Sequence, residues 1–325
     1  MKTHFAYFCG SLVLLTVLAG GLFCGAAGFG WPDLSTPAGC GLFEIRLCRL
    51  VTGFLVGAGL AVSGCSLQAV LRNPLAEPYV LGVSGGGAFG AALALVTGAS
   101  ALHPAFLPLG AFCSASATLA WVWGLSRKVG GMFNPSVLIL TGVVVGSILS
   151  SLLLLVLTFA PNRAVHGVTW WLLGNLQTGS WTLLAVAGTL IAVAVAGLFF
   201  EARALNVLQL GRDTAYDVGV RVSRVLPLIL VFATLAAASA VALSGIIGFV
   251  GLIVPHGVRR VFGTDHRVLL PCSVLFGGAF LVFCDTLART LAVPYEIPVG
   301  VVTSLFGGPF FLYLLCAKRT GYSPC

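Results

Sequence analysis

Charge is scarce in this chain of 325 residues. Asp, Glu, Lys and Arg together make up 8% of it, against about a quarter in ordinary soluble domains. None of the four occurs between Pro78 and Ser126, or between Val225 and Val258. A water-facing globule needs a polar skin, and a chain with 58% apolar residues cannot supply one. A soluble enzyme, a disordered chain and a collagen-like fibre are excluded together; what remains is an all-α polytopic membrane protein. Lysine is also nearly missing. Lys2, Lys128 and Lys318 are the three present, and none follows a glycine as a phosphate-binding P-loop requires. The chain therefore cannot bind and hydrolyse ATP by itself. Its ten cysteines contain no C-x-x-C pair and mostly sit in apolar runs, which indicates neither a zinc site nor a disulfide framework. Cys40 and Cys48 flank one outer loop and leave a pairing open.

Spanning helices need about 20 mostly apolar residues. Ten such runs are expected, near 5–29, 50–71, 79–98, 107–126, 137–159, 181–200, 225–243, 245–258, 268–288 and 297–316. The first follows Lys2 in the manner of a signal peptide, but its length and the lack of a clear small-x-small cleavage site favour a span. Trp170, Trp171 and Trp181 sit in a less apolar connection, as interfacial aromatics do. With ten spans both termini share a side. Thirteen Lys and Arg then fall on that side, and only Arg46, Arg49, Arg163 and Arg289 on the other. The positive-inside bias puts both termini in the cytoplasm. The net charge of +8 is spread through short gaps between apolar runs, so it gives no nucleic-acid footprint.

Some motifs mislead. Gly85-Gly86-Gly87-Ala88-Phe89-Gly90 spells G-x-G-x-x-G, yet no acidic ribose partner appears before Glu201. Gly82-Val83-Ser84-Gly85 resembles an intramembrane protease motif, with His256 available as a base; small residues that let helices approach closely in lipid are the simpler reading. Segment 201–224 is the most polar of the chain but keeps Leu205, Leu208, Leu210, Ala215, Val218 and Val220. A short helical pair broken at Gly211 and ended at Gly219 would present an apolar face to a partner. No Asp, Glu or His relay runs through a span, as proton- or sodium-coupled carriers usually require.

Three stretches carry a family likeness. The first runs from Arg46-Leu47-Cys48-Arg49 to Arg72-Asn73-Pro74-Leu75-Ala76-Glu77-Pro78 and Leu81-Gly82-Val83-Ser84-Gly85. The second is Ala204-Leu205-Asn206-Val207-Leu208-Gln209-Leu210-Gly211. The third runs from Gly245-Ile246-Ile247-Gly248-Phe249-Val250-Gly251 through Pro255-His256, Asp265-His266-Arg267 and Asp285-Thr286-Leu287-Ala288-Arg289 to Gly307-Gly308-Pro309. Together, in this order from about residue 44 to 316, they strongly resemble the FecCD family of permease subunits in type II ABC importers.

The resemblance implies a single permease domain over 1–325 with the type II importer permease fold, working as a dimer with a second permease subunit in the cytoplasmic (inner) membrane. It implies cytoplasmic ABC ATPase subunits on the 201–224 coupling segment and a periplasmic or lipid-anchored substrate-binding protein outside. An iron chelate (siderophore or haem) or cobalamin is the implied ligand, and no cofactor or resident metal is implied. Arg46, Arg49 and Arg289 are the expected docking residues for the binding protein. Arg289 has an alternative as the i,i+4 partner of Asp285, and Arg46 and Arg49 as interface anchors. Leu205, Leu208, Leu210, Gly211, Ala215 and Gly219 are the expected ATPase-coupling residues. Asn73, Leu75, Pro135 and Ser136, in the loops Arg72–Pro78 and Gly130–Ser136, are the expected cytoplasmic gate. A stand-alone secondary transporter or channel is the alternative.

Overall fold

A computed structural model describes residues 2–25, 28–130, 134–177 and 180–319. Helix α1 (Lys2–Phe23) leads into a minimal hairpin of Cys24–Gly25 on Gly28–Phe29. Then follow α2 (Pro37–Leu71), a 3-10 turn (Pro78–Leu81), α3 (Val83–Val96), α4 (Ala99–Leu102), α5 (Phe106–Gly130) and α6 (Pro135–Thr158). Next come α7 (Asn162–Leu172), α8 (Trp181–Phe200), α9 (Ala202–Leu208), α10 (Arg212–Asp217) and α11 (Val222–Ser244). The chain closes with α12 (Val250–Phe262), α13 (His266–Thr290) and α14 (Val299–Arg319).

Each of the ten expected runs has its helix, but the boundaries move. Helix α2 begins at Pro37 rather than near residue 50, because Thr36 caps it: its hydroxyl accepts from Gly39 N–H at 3.1 Å, and proline suits the first turn. Cys40 and Cys48 therefore share one helix, eight residues or about 12 Å apart, beyond disulfide reach, and neither is in a disulfide. The 225–258 stretch does split. Helix α11 stops at Ser244, Gly245 and Phe249 take positive φ of 71° and 69°, and α12 starts at Val250. Among the described residues, seven helices are long and apolar enough to cross a membrane, namely α1, α2, α5, α6, α8, α11 and α13.

Helix α2 is the central pillar. Its most apolar window is 83% buried inside the chain, against 17–28% for α1, α5, α6 and α8. It is packed by α8, α11, α12 and α13. Lipid gives no hydrophobic drive for two helices to meet, so packing depends on close backbone approach. At Gly57 an added Cβ would collide with the Gly277 carbonyl of α13, and at Gly64 with the Gly251 carbonyl of α12. The motif Gly85–Gly90 lies inside α3 rather than at a strand-to-helix turn, and Gly90 meets the Gly110 carbonyl of α5. Its glycines are contact surface.

Gly57→Ala is expected to destabilise the chain by about 1–3 kcal/mol through overpacking. Gly41→Ala, on the same helix with nothing within 4 Å of the added methyl, is expected to be harmless. Thermal unfolding of both variants in detergent checks this; equal midpoints would refute the close crossing.

Candidate functional site

One end of the bundle gathers the end of α2, the α9–α10 pair, the start of α11 and the α12–α13 connection. In the α9–α10 pair, Leu205, Leu208 and Ala215 are buried against the bundle and join its core. Gly211 and Gly219 take φ of 130° and 86°, the left-handed side of the map where glycine is favoured, so both turns depend on them. Leu210, Tyr216 and Val218 point out, with 67%, 79% and 67% of their surface exposed. Of the expected coupling residues, then, Leu205, Leu208 and Ala215 hold the element, Gly211 and Gly219 shape it, and Leu210 alone is an exposed apolar side chain. Tyr216 and Val218 are exposed in the same way.

Asn206 fixes the element to α13. Its Nδ2 donates to Asp265 Oδ1 at 2.6 Å, its Oδ1 accepts from His266 N–H at 2.8 Å, and His266 Nδ1 lies 2.7 Å from the same oxygen. Burial works against the charge on Asp265, but donation from Arg267 N–H and Asn206 outweighs it and holds the carboxyl below its ordinary range. Sequence reading passed over Asn206; the signal was a lone amide in an apolar helix.

Beside this lies the loop 72–78. Arg72 ends α2 in left-handed geometry (φ 48°), and Asn73 Oδ1 accepts from Leu75 N–H at 3.0 Å. Gln68 Nε2 donates to Gly251 O at 3.0 Å, and Arg259 donates to Gln68 Oε1 at 3.0 Å. Asn73 and Leu75 thus sit in a loop braced by its neighbours. The second expected gate loop differs. Asn134 Oδ1 caps α6 through Ser136 N–H at 3.0 Å, so Pro135 and Ser136 form the first turn of a helix rather than a loop. Residues 131–133 of that expected loop lie outside the described residues. Glu77 approaches the start of α12, where Phe249 N–H donates to it, while its Oε1 has no partner. Burial, the larger effect, pushes its carboxyl up to about 7.

The opposite end carries the ion network. Arg49 donates through Nε to Asp285 at 2.9 and 3.0 Å and through Nη1 to Glu296 Oε2 at 2.8 Å. Arg289 Nε lies 3.1 Å from Asp285 Oδ2, the i,i+4 pair raised as its alternative. Arg46 donates to the carbonyls of Leu22, Gly28 and Gly30 at 2.6, 3.2 and 2.9 Å, covering the last turn of α1 and the hairpin. The three arginines expected on an open docking surface are 4%, 7% and 2% exposed. They are rim-building groups already committed to internal partners.

Between the two ends a cleft of about 350 Å³ opens along α6, lined by Tyr79, Gly82, Ser84, Gly146, Ser147 and Ser150. Its walls are hydroxyls and backbone without a formal charge. Ser84 belongs to this cleft, while His256 sets its ring edge-on to Phe310 of α14 at 5.7 Å.

A helical bundle with an apolar elbow at one end, a charged rim at the other and a neutral cleft between is the architecture of a membrane permease. The profile of the FecCD transport family matches residues 12–317, and the chain belongs to that family. It is 43% identical over 275 residues to the cobalamin import system permease BtuC of Halobacterium salinarum, covering 83% of this chain and 72% of that one. It is 39% identical over 282 residues to the hemin transport system permease HmuU of Yersinia pestis, covering 85% and 83%. It is 40% identical over 285 residues to the ABC transporter permease YvrB of Bacillus subtilis, covering 86% and 80%. Among solved structures, a metal-chelate type ABC transporter in an inward-facing conformation superposes with a TM-score of 0.86 at 32% identity, covering 95% of this chain and 98% of that one. The chain is accordingly an ABC importer permease and not an enzyme; ATP hydrolysis is carried by separate subunits.

Asp285→Asn leaves two buried guanidiniums undercompensated and is expected to cost about 3–5 kcal/mol. A falling thermal midpoint checks this, and an unchanged one would mean that the arginines do not need their internal acid. Glu77 predicts a pH effect. The unfolded carboxyl titrates near 4.5 and the folded one near 7, so the folded state binds the extra proton. Stability should therefore fall as pH rises through that window, and Glu77→Gln should flatten the fall in denaturation midpoints.

Proposed function

We propose that this permease carries an iron chelate (siderophore-bound or haem) or cobalamin inward across the cytoplasmic membrane, as one of two copies in an ATP-driven importer. In this reading the helices of the ten apolar runs act as ten spans, with both termini and the α9–α10 pair in the cytoplasm; the thirteen-to-four distribution of Lys and Arg supports this side. One observation carries the reading. Leu210, Tyr216 and Val218 are exposed apolar side chains on an element otherwise rich in charge, which Leu205, Leu208 and Asn206 anchor to the bundle. An aromatic anchor among aliphatics on a fixed element suits a groove in a partner, and an ATPase subunit is the partner the family architecture requires.

The neutral cleft along α6 is open on one side, so a second permease copy would complete its wall. A wall without charge lets a bulky ligand pass without trapping it. The loop carrying Asn73 and Leu75, and the α6 start carrying Pro135 and Ser136, narrow the cytoplasmic mouth in this reading. At the outer end, Arg46, Arg49 and Arg289 serve binding-protein docking indirectly, by fixing the rim that the binding protein meets. Ligand choice rests largely with that binding protein.

Leu210→Asp and Tyr216→Ala each remove an exposed apolar side chain without touching the core. Each is expected to weaken ATPase association by about 2 kcal/mol or more, roughly 30-fold, and to uncouple uptake in proportion. Co-purification of the ATPase and uptake of labelled ferric siderophore, haem and cobalamin by intact cells measure this; a double variant that still holds the ATPase and transports normally would refute the assignment.

A further inference from the structure

We propose that a phosphate-bearing anionic membrane lipid seats its headgroup in a small basic cavity between α5, α10 and α11. The cavity, about 120 Å³, is lined by Trp123 and Arg127 near the end of α5, Arg212 at the start of α10, and Ser223, Leu226 and Pro227 in the first turns of α11. Its lining has two halves. Two guanidiniums and a hydroxyl supply donors; the indole, leucine and proline supply an apolar wall.

Among the described residues, neither guanidinium has an ion pair with the protein. Among the described residues the ion pairs are confined to Arg49, Arg289, Asp285 and Glu296 at the opposite end of the bundle. Asp213 and Asp217 sit on α10 close in sequence, yet neither comes within 4.0 Å of an arginine nitrogen. Two like charges beside one cavity repel each other until an anion sits between them. The planar guanidinium fork matches phosphate oxygens in particular.

Position selects the source of that phosphate. Helices α5 and α11 are both long and apolar enough to span a membrane, and the cavity lies where one ends and the other begins. A basic cavity between spanning helices at the water boundary suits an anionic headgroup. Trp123 and Leu226 can then receive the glycerol backbone and first acyl carbons, which a free phosphate ion lacks. Arg212 opens α10, so the lipid would tie that element to the bundle. The binding itself is a property of the isolated chain and does not rest on the transport reading.

The test uses the full chain purified in detergent and titrated with phosphatidylglycerol, phosphatidylcholine or inorganic phosphate. Retained lipid is counted by native mass spectrometry, and contact is read by quenching of tryptophan fluorescence with phosphatidylglycerol brominated on its acyl chains. Phosphatidylglycerol should be retained in preference to phosphatidylcholine. Arg127→Gln and Arg212→Gln should each weaken retention about five-fold, and together about twenty-five-fold. Both residues are exposed, so the variants should remain monodisperse. Trp123→Phe should remove part of the quenching while leaving lipid retention intact. Undiminished retention in the double variant, equal retention of phosphatidylcholine, or displacement of the lipid by inorganic phosphate at comparable concentration would each overturn the proposal.

Discussion

A backbone amide buried away from water needs a partner, and the break between α11 and α12, where Ser244 and Ile247 are buried, survives only because the protein supplies the partners itself. Asn175 N–H donates to Ser244 O at 2.7 Å, the Tyr79 hydroxyl donates to Ile247 O at 2.8 Å, and Ile247 N–H donates back to that hydroxyl at 3.0 Å. Gln68 takes the Gly251 carbonyl, and Glu77 accepts from Phe249 N–H. These side chains come from the end of α2, the loop after it and the 3-10 turn, so the irregular segment and the 72–78 loop are one braced unit. The pillar role of α2 follows, since it both anchors this unit and receives α12 and α13 through glycine contacts.

Charge is dealt with differently at the two ends. At the rim of Arg49, Arg289, Asp285 and Glu296 it is buried and paired, which costs desolvation and is kept in balance only while each partner is present. At the α9–α10 end most cations are exposed, which leaves them available to a headgroup or to water. Helix α13 joins the two, starting beside the Asn206 contact and ending with Asp285 and Arg289.

Much of the helical plan could be read from composition. Charge-free runs marked the apolar helices, and Gly245 with Gly248 marked the break in the long stretch from 225 to 258. Arg72-Asn73-Pro74 correctly closed α2, because proline excludes the helical region for its predecessor. The start of α2 could not be read the same way. Pro37 looks like a breaker in a string of residues, and only the cap from Thr36 shows it to be a first-turn proline. The same ambiguity put Pro135 and Ser136 in a loop when Asn134 makes them a helix start. The arginines were harder still. Their neighbours in sequence are apolar whether the guanidinium faces solvent or Asp285, and the acids that bury Arg49 lie more than 230 residues away.

Composition and order alone determined that this chain lives in a membrane, that it is helical, that it lacks a nucleotide site of its own, and which family it resembles. These are properties of local hydropathy and of residue types at fixed spacing, and they need no partner at a distance. Tertiary structure decided which apolar residues of 201–224 are floor and which are face, and which arginines are spent and which are free. Burial and pairing are relations between segments far apart in the chain, fixed only when helices such as α2 and α13 meet.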